Sequence, residues 1–243
     1  MDYSIIVYII FGVLPSLIWL GYYLRKDAHP EPKKMIVRIF LWGALITLPV
    51  FLVQIGLKFL LDKISIDLFI YDLIYWFLII AFSEEFFKYL VIKIKVVNSP
   101  HLDEPLDIML YMVVAALGFA AVENILYLFS PSGQMSFNQL VNRALVIDIV
   151  RFIGATFLHT LCSAVIGYSL AISFCEVKTK YISAVFGIFV AVLLHGLYDF
   201  SIIKLSGYAK FAIPVIIILT LAFLVFSGFN KLKKMKSICK LNN

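Results

Sequence analysis

Charged side chains interrupt the apolar stretches of this sequence. The third stretch contains Glu84, Glu85 and Lys88. Glu84 and Lys88 are four residues apart, so on a helix they share a face and can form an ion pair, whereas Glu85 needs another partner. A charge at membrane depth costs at least ~2.5 kcal/mol on insertion scales, and such groups usually mark a functional site.

Three further apolar stretches carry titratable groups at a similar depth. The fourth stretch has Glu123 beside Asn124, the fifth has His159, and the sixth has His195 and Asp199 four residues apart on one face. A single buried histidine is usually a satisfied interior residue. Two histidines and four carboxylates in one layer indicate instead a site built from four consecutive helices.

Hydrolysis is the chemistry that suits these groups. It needs an activated water, a proton donor for the leaving amine and stabilisation of the oxyanion. A glutamate in a low-dielectric site can move the proton, so we expect Glu84 to be the general base, with Glu85 and Lys88 organising it. His159 and His195 complete the predicted catalytic set.

Four of the polar residues are candidate ligands for Zn²⁺, namely Glu123, His159, His195 and Asp199. Catalytic zinc takes three protein ligands and a water, whose pKa it lowers. Asp199 could instead hydrogen-bond His195, which leaves three ligands. The sequence has no HExxH, so a metal-free site in which these residues hold the water and the oxyanion stays open.

The composition places these groups in a bilayer. Of the 243 residues, 63% are apolar and 15% are charged, against about half and a quarter in soluble domains. We predict an all-α, polytopic membrane protein of about seven transmembrane helices, because each stretch has about 20 residues. The predicted spans are 5–24, 36–57, 69–92, 108–129, 152–174, 181–203 and 211–229. Residues 137–149 are predicted to lie on the outer surface. Residues 1–230 form the predicted domain, and residues 231–243 a basic cytoplasmic tail.

The basic residues predict the orientation. With the N-terminus outside, fourteen lysines and arginines lie on the cytoplasmic side and five on the other, so the C-terminus is predicted to be cytoplasmic. The net charge of +6 could suggest nucleic acid, but the basic residues flank apolar stretches. Anionic lipid headgroups explain that distribution better, and no nucleic-acid partner is expected.

The order and spacing of the polar residues resemble the PrsW family of intramembrane proteases. The matching residues are Glu84-Glu85-x-x-Lys88, Phe119-x-x-x-Glu123-Asn124, His159 and His195-x-x-x-Asp199, together with the connectors Asp27–Pro32 and Asp103–Pro105. The related CAAX prenyl endopeptidase and Abi families share an EExxxR, FxxxH, HxxxN/D pattern. Lysine at the basic position and Glu123 in place of histidine favour PrsW over those relatives.

This resemblance implies an activity, a partner and a location. It implies a metallopeptidase or a glutamate-based hydrolase that makes the first cut in a single-span anti-sigma factor and so begins the release of a sigma factor. The expected location is the bacterial cytoplasmic membrane, with the lipid bilayer as surroundings.

Two other classes of protein use buried charges in a membrane. In a proton- or cation-coupled transporter or channel, the same residues would form a relay. The lack of an internal repeat, and of proline in the third to sixth predicted spans, argues against that alternative. A pseudoenzyme scaffold is disfavoured because both glutamates and both histidines are present.

Overall fold

The described part of the chain is helical. The computed structural model describes residues 3–27, 29–129, 136–175 and 180–235, and these ranges contain no β-strand. The helices are α1 (Tyr3–Leu24), α2 (Lys33–Leu61), α3 (Leu68–Leu73), a π-helical segment (Ile74–Ala81), α4 (Phe82–Lys95), α5 (Pro105–Leu128), α6 (Phe137–Ile153), α7 (Ala155–Cys175), α8 (Lys180–Lys204) and α9 (Ala209–Lys234). The prediction of an all-α fold is confirmed.

Six helical stretches in the described residues are long and apolar enough to cross a membrane, so the chain is a multi-pass membrane protein. The predicted third span is not among them, because it is divided into consecutive pieces of 6, 8 and 14 residues. Another stretch, 137–174, joins α6 to α7 and includes the residues expected on the outer surface. The count of seven spans and the orientation stay predictions.

Helix α9 runs four residues past the predicted end of the domain, through Lys234. The rest of the predicted tail, from Lys236 to Asn243, lies outside the described residues. The division of the chain at residue 230 stays a prediction.

Helix α5 is the centre of the bundle. It packs against α1, α2 and α7, and nearly every side chain along it is buried. Small residues permit this, since a Cβ added at Gly118 would lie 2.0 Å from the Phe40 carbonyl oxygen, and one at Gly43 would lie 2.0 Å from that of Ala115. Close backbone approach through small residues is how membrane helices associate without a hydrophobic driving force.

The start of α5 is fixed by local sequence. Pro105 occupies the first turn, and Glu104 and Asp107 form a reciprocal capping box. This cap sets where the helix begins, and so the position along α5 at which Glu123 lies, five turns further on.

The π-helical segment positions the glutamate pair. It directly precedes α4, and the Ser83 hydroxyl lies within hydrogen-bond distance of the carbonyl oxygens of Ile79 and Ile80, at the junction of the two. A π-helical turn changes which residues share a face and occurs often at functional sites. Here it brings Glu84 and Glu85 into the bundle at the first turn of α4.

Candidate active site

The predicted site residues come together in the interior of the bundle. Glu84, Glu85 and Lys88 lie on α4, Glu123 on α5, His159 on α7, and His195 and Asp199 on α8. The α4 residues and both histidines are buried, and Glu123 and Asp199 are partly exposed to a cavity.

Glu84 is the centre of the cluster. Its Oε1 accepts a hydrogen bond of 3.2 Å from Nε2 of Gln54, on α2. Its buried Oε2 has no hydrogen-bond partner among the described residues. That oxygen lies 3.8 Å from Nδ1 of His159 and 3.9 Å from Nε2 of His195. Its ion-pair partner is the ammonium of Lys88 at 3.7 Å. A buried carboxylate oxygen without a hydrogen bond is costly, so this oxygen is the one with capacity to contact a water or a cation.

Each histidine contacts a carboxylate through the ring nitrogen that faces away from Glu84. Nδ1 of His195 lies 2.9 Å from Oε1 of Glu85, and Nε2 of His159 lies 2.7 Å from Oε2 of Glu123. The opposite nitrogen of each ring faces Oε2 of Glu84. Metal-binding histidines are usually oriented by such a carboxylate on the other ring nitrogen.

Lys88 is closer to Glu85 than to Glu84. Its ammonium donates to Oε1 of Glu85 at 2.8 Å and lies 3.7 Å from Oε2 of Glu84. It is also 2.9 Å from Nδ1 of His159 and lies 4.5 Å from the centre of the Phe119 ring. Lys88 therefore neutralises both glutamates, and its shorter contact is with the partner three residues away.

Three residues can place one ligand atom each around a metal ion. Glu84, His159 and His195 offer atoms that all lie within 4.8 Å of one another. Two imidazoles and a carboxylate are a donor set that catalytic zinc uses. Asp199, with Oδ2 3.4 Å from Nε2 of His195, is next to this trio. Glu123 instead lies on the far side of the His159 ring.

Arg151 and Asn124 extend the cluster. Arg151, at the end of α6, contacts Oε2 of Glu123 at 2.8 Å and donates to the Asn124 side chain. Asn124 donates in turn to the Gly12 carbonyl, on α1, and to Thr156, on α7. This network fixes the Glu123 carboxylate that holds His159.

Sequence reasoning did not assign Gln54 and Ser163 to the site. Gln54 was detectable as a lone amide in the apolar run of α2. Ser163, which donates to Oε2 of Glu85 at 3.1 Å, carries no signal in the sequence, because membrane helices use serine at many interfaces.

A cavity of about 790 Å³ leads to the cluster. Its polar lining includes Glu84, Glu123, Arg151, His159 and His195. The remaining lining is mostly aliphatic and aromatic and comes from α2, the π-helical segment, α5, α6, α7 and α8. An apolar cavity with a few convergent polar groups is the usual form of a ligand-binding or active site.

Apolar helices around buried carboxylates, two histidines and a cavity define an intramembrane hydrolase. The chain belongs to the PrsW family of intramembrane metalloproteases, whose family model matches residues 31–227. It is therefore an intramembrane protease that acts on a membrane-protein substrate in a lipid environment.

Curated relatives cover most of the chain. It is 30% identical over 210 residues to the protease PrsW of Oceanobacillus iheyensis, covering 86% of this chain and 88% of that protein. It is 29% identical over 234 residues to the protease PrsW of Bacillus subtilis, covering 93% and 94%. The protease PrsW of Clostridioides difficile is 30% identical over 212 residues, covering 86% and 84%. No solved structure matches the chain.

Proposed function

We propose that this protease makes the first cut in a single-span anti-sigma factor, with Glu84 as the residue that moves the proton. The observation that carries the role of Glu84 is its Oε2, which lacks a hydrogen bond, belongs to a residue that lines the cavity and lies between the facing nitrogens of His159 and His195. The anti-sigma factor as substrate is supported by the resemblance of the site residues to PrsW proteases. Because the chain belongs to a family of proteases, the transporter alternative is not favoured.

The residues allow a proton path for amide hydrolysis. Oε2 of Glu84 accepts a proton from a water held between it and the histidines. The protonated carboxyl then donates to the leaving amine as the bond breaks. Nε2 of His195, with its ring fixed by Glu85, and the ammonium of Lys88 are the groups that stabilise the oxyanion.

The donor set also fits zinc. Oε2 of Glu84, Nδ1 of His159 and Nε2 of His195 would hold the ion, with Asp199 beside it. The Oε2 that accepts the proton in the path above would then be a ligand instead of the base. Bound zinc would supply a Lewis acid and a water of lowered pKa. In this form Glu123 and Glu85 would orient the two imidazoles through the ring nitrogens that face away from the ion. The ammonium of Lys88 would no longer contact Nδ1 of His159.

A metal-free form is the second candidate, and one observation favours it. The ammonium of Lys88 lies 2.9 Å from the same Nδ1 that a metal would need. In that form His159 and His195 position the water and the oxyanion directly, and Glu84 alone provides the base.

The test is cleavage of epitope-tagged single-span anti-sigma factors from the same genome, co-expressed with the chain. We expect one fragment pair with the parental protein. Because proton-transfer groups contribute ~10²–10⁴-fold, Glu84→Gln should reduce cleavage by that order while the protein stays folded.

Asp148→Asn, which removes a carboxylate from α6 outside the cluster, is the matched control and should cleave normally. Cleavage by Glu84→Gln at the parental rate would show that another residue is the base. Failure of the parental protein to cleave any of these proteins would overturn the proposed substrate.

A further inference from the structure

A second cavity lies between α7, α8 and α9. It has a volume of about 500 Å³, and among the described residues it shares no lining side chain with the active-site cavity. Its inner wall is apolar and includes the buried side chains of Met109 on α5, Ala164 on α7 and Val225 on α9. The second cavity is therefore a candidate binding site that the catalytic residues do not use.

The mouth of the second cavity faces the outside of the bundle between α8 and α9. Of the described lining residues, four are exposed, namely Phe186 on α8 and Leu224, Ser227 and Lys231 on α9. The three on α9 share one face, because they are three and four residues apart. Both helices are long and apolar enough to cross a membrane, so the mouth opens to the bilayer.

A cationic group lies at one end of the second cavity. Lys231 is in the last turn of α9, together with Lys233 and Lys234. Its ammonium lies 5.8 Å from the centre of the Tyr168 ring, which also lines the cavity. By the charge-based orientation this end is cytoplasmic, where basic side chains next to a membrane helix attract anionic lipids. The charge and the position of Lys231 therefore suit an anionic headgroup.

The dimensions of the second cavity suit one acyl chain. From Leu224 to Lys231 it runs seven residues along α9, or ~10 Å at the helical rise, against ~15 Å for half of the hydrocarbon core. One turn of a helix ~10 Å wide occupies roughly 400 Å³, so the cavity holds little more than one turn. A flexible, unbranched chain fits this space, whereas a membrane-spanning helix does not.

We propose that the second cavity binds one anionic phospholipid of the cytoplasmic leaflet. An acyl chain lies against Met109 and Ala164, and the phosphate lies at Lys231. The Ser227 hydroxyl, one turn before Lys231 on the same face, donates to a phosphate or ester oxygen. The Tyr168 ring holds the ammonium at the cavity through a cation–π contact. This site goes beyond the proposed function, since its occupant is not a substrate.

The bound chain would lie close to the part of the bundle that holds the two histidines. Ala164 is five residues after His159 on α7, and Val190, which also lines the second cavity, is five residues before His195 on α8. Five residues correspond to ~7.5 Å along a helix. A chain that fills the space between α7 and α8 adds contacts that exist only in the folded protein, so the lipid should raise the thermal stability.

Native mass spectrometry of the detergent-purified chain, with equal amounts of phosphatidylglycerol and phosphatidylcholine added, tests the selection of the headgroup. We expect the chain to retain one phosphatidylglycerol in preference to phosphatidylcholine. Lys231→Gln should reduce the affinity for phosphatidylglycerol about fivefold, the contribution of one lysine near an anionic surface, and leave that for phosphatidylcholine unchanged. Lys210→Gln, the same change in the first turn of α9, is the control and should alter neither affinity. Equal retention of the two lipids by the parental chain, or equal losses in the two variants, would overturn the proposal.

A second pair of variants tests where the acyl chain lies. Val190→Phe places an aromatic ring in the second cavity, so it should abolish both the retention of phosphatidylglycerol and the rise in melting temperature that this lipid causes. Val185→Phe makes the same change at a position that is 66% exposed and outside the cavity, and it should behave as the parental chain.

Thermal unfolding without added lipid shows whether both valine variants fold, and Lys231→Gln decides the test if Val190→Phe does not. Equal retention of phosphatidylglycerol by the two valine variants would place the lipid elsewhere and overturn the site. A parental dimer that Val190→Phe separates would mean that a second copy of the chain fills the cavity, and it would overturn the lipid site as well.

Discussion

The ammonium of Lys88 lies 2.9 Å from Nδ1 of His159, and this contact determines the tautomer of the histidine. A lysine ammonium can only donate, so Nδ1 must accept. The ring proton is then on Nε2, where it is donated to Glu123 at 2.7 Å. The lone pair on Nδ1 therefore accepts from Lys88, and a metal would need this lone pair in place of Lys88.

Removing the charge of Lys88 should destabilise the protein strongly. Lys88→Met would leave Glu84 and Glu85 buried without their shared cation, and breaking a buried ion pair costs ~3–5 kcal/mol. We expect a large loss of folded protein and of thermal stability in detergent. Lys93→Met, on the exposed side of the same helix, is the control and should change little.

A second variant tests whether charge is the cause. Adding Glu85→Gln to Lys88→Met removes one of the two unpaired carboxylates, so it should recover part of the lost stability. A double variant less stable than Lys88→Met alone would mean that Lys88 acts mainly through packing on Phe119.

The orientation of the chain can be tested at two lysines. The positive-inside bias requires Lys33, at the start of α2, and Lys236, in the predicted tail, to share the cytoplasmic side. Cysteines placed at the two positions, in a background without the three native cysteines, should react with a membrane-impermeant thiol reagent only after the cytoplasmic side is made accessible. Labelling of the two from opposite sides would contradict an odd number of spans.

Glu31 should make stability depend on pH. This residue lies in the connector before α2, where it accepts a hydrogen bond from Tyr111, and burial followed by the charges of Asp103 and Asp27 raises its pKa. The folded state therefore holds the proton more tightly than the unfolded chain. The resulting stabilisation is complete below the unfolded pKa and is lost as the pH rises through the folded pKa.

Glu31→Gln keeps an acceptor for Tyr111 but cannot ionise. Its stability relative to the parental protein should thus increase as the pH rises from about 5 to about 8. Thermal unfolding across that range measures it. Asp62→Asn is the control, because the hydrogen bond from Lys58 lowers the pKa of Asp62. Its carboxyl is therefore ionised in both the folded and the unfolded state across this range, and the stability difference from the parental protein should not change with pH. A parental advantage that grows with pH would contradict the assignment to Glu31.

The sequence predicted which helices carry the site but not which atoms meet. Glu84, His159 and His195 were identifiable because ionisable groups in apolar stretches are costly and rare. The pairing of Glu123 with the rear of His159 depends on the rotation of α5 against α7. That rotation is set by close packing of the two helices, where a Cβ added at Gly167 of α7 would lie 2.5 Å from the Cα of Met109 on α5, and residue spacing does not encode it.

The interruption of the third span had no clear signal either. Its apolar run reads as one continuous helix, yet the π-helical segment changes the register before Glu84. Gln54 lies on a different helix, so residue spacing could not match it to Glu84, although the two side chains are in contact.

Metal content should separate the two forms of the chemistry. If zinc is bound, His159→Ala and His195→Ala each remove a ligand and should lose metal together with activity. Glu123→Gln leaves the trio intact but weakens the support behind His159, so metal affinity should fall by roughly 10–100-fold. Asp199→Asn distinguishes the two possible roles of Asp199. If Asp199 is a ligand, the variant should lose most of the metal. If Asp199 orients His195, the variant should show only the smaller loss of metal affinity.

Metal analysis of detergent-purified protein, with substrate cleavage measured before and after chelation, provides the readout. Metal content of the variants is measured independently of activity, so a fall in both can be told from a fall in activity alone. Gln54→Ala is an informative comparison, because it removes a hydrogen bond to Glu84 without touching either histidine and should retain the metal. Stoichiometric metal that disappears in both histidine variants would support the zinc form. Active protein without metal, unaffected by chelator, would assign His159 and His195 to the water and the oxyanion and leave Glu84 as the only base.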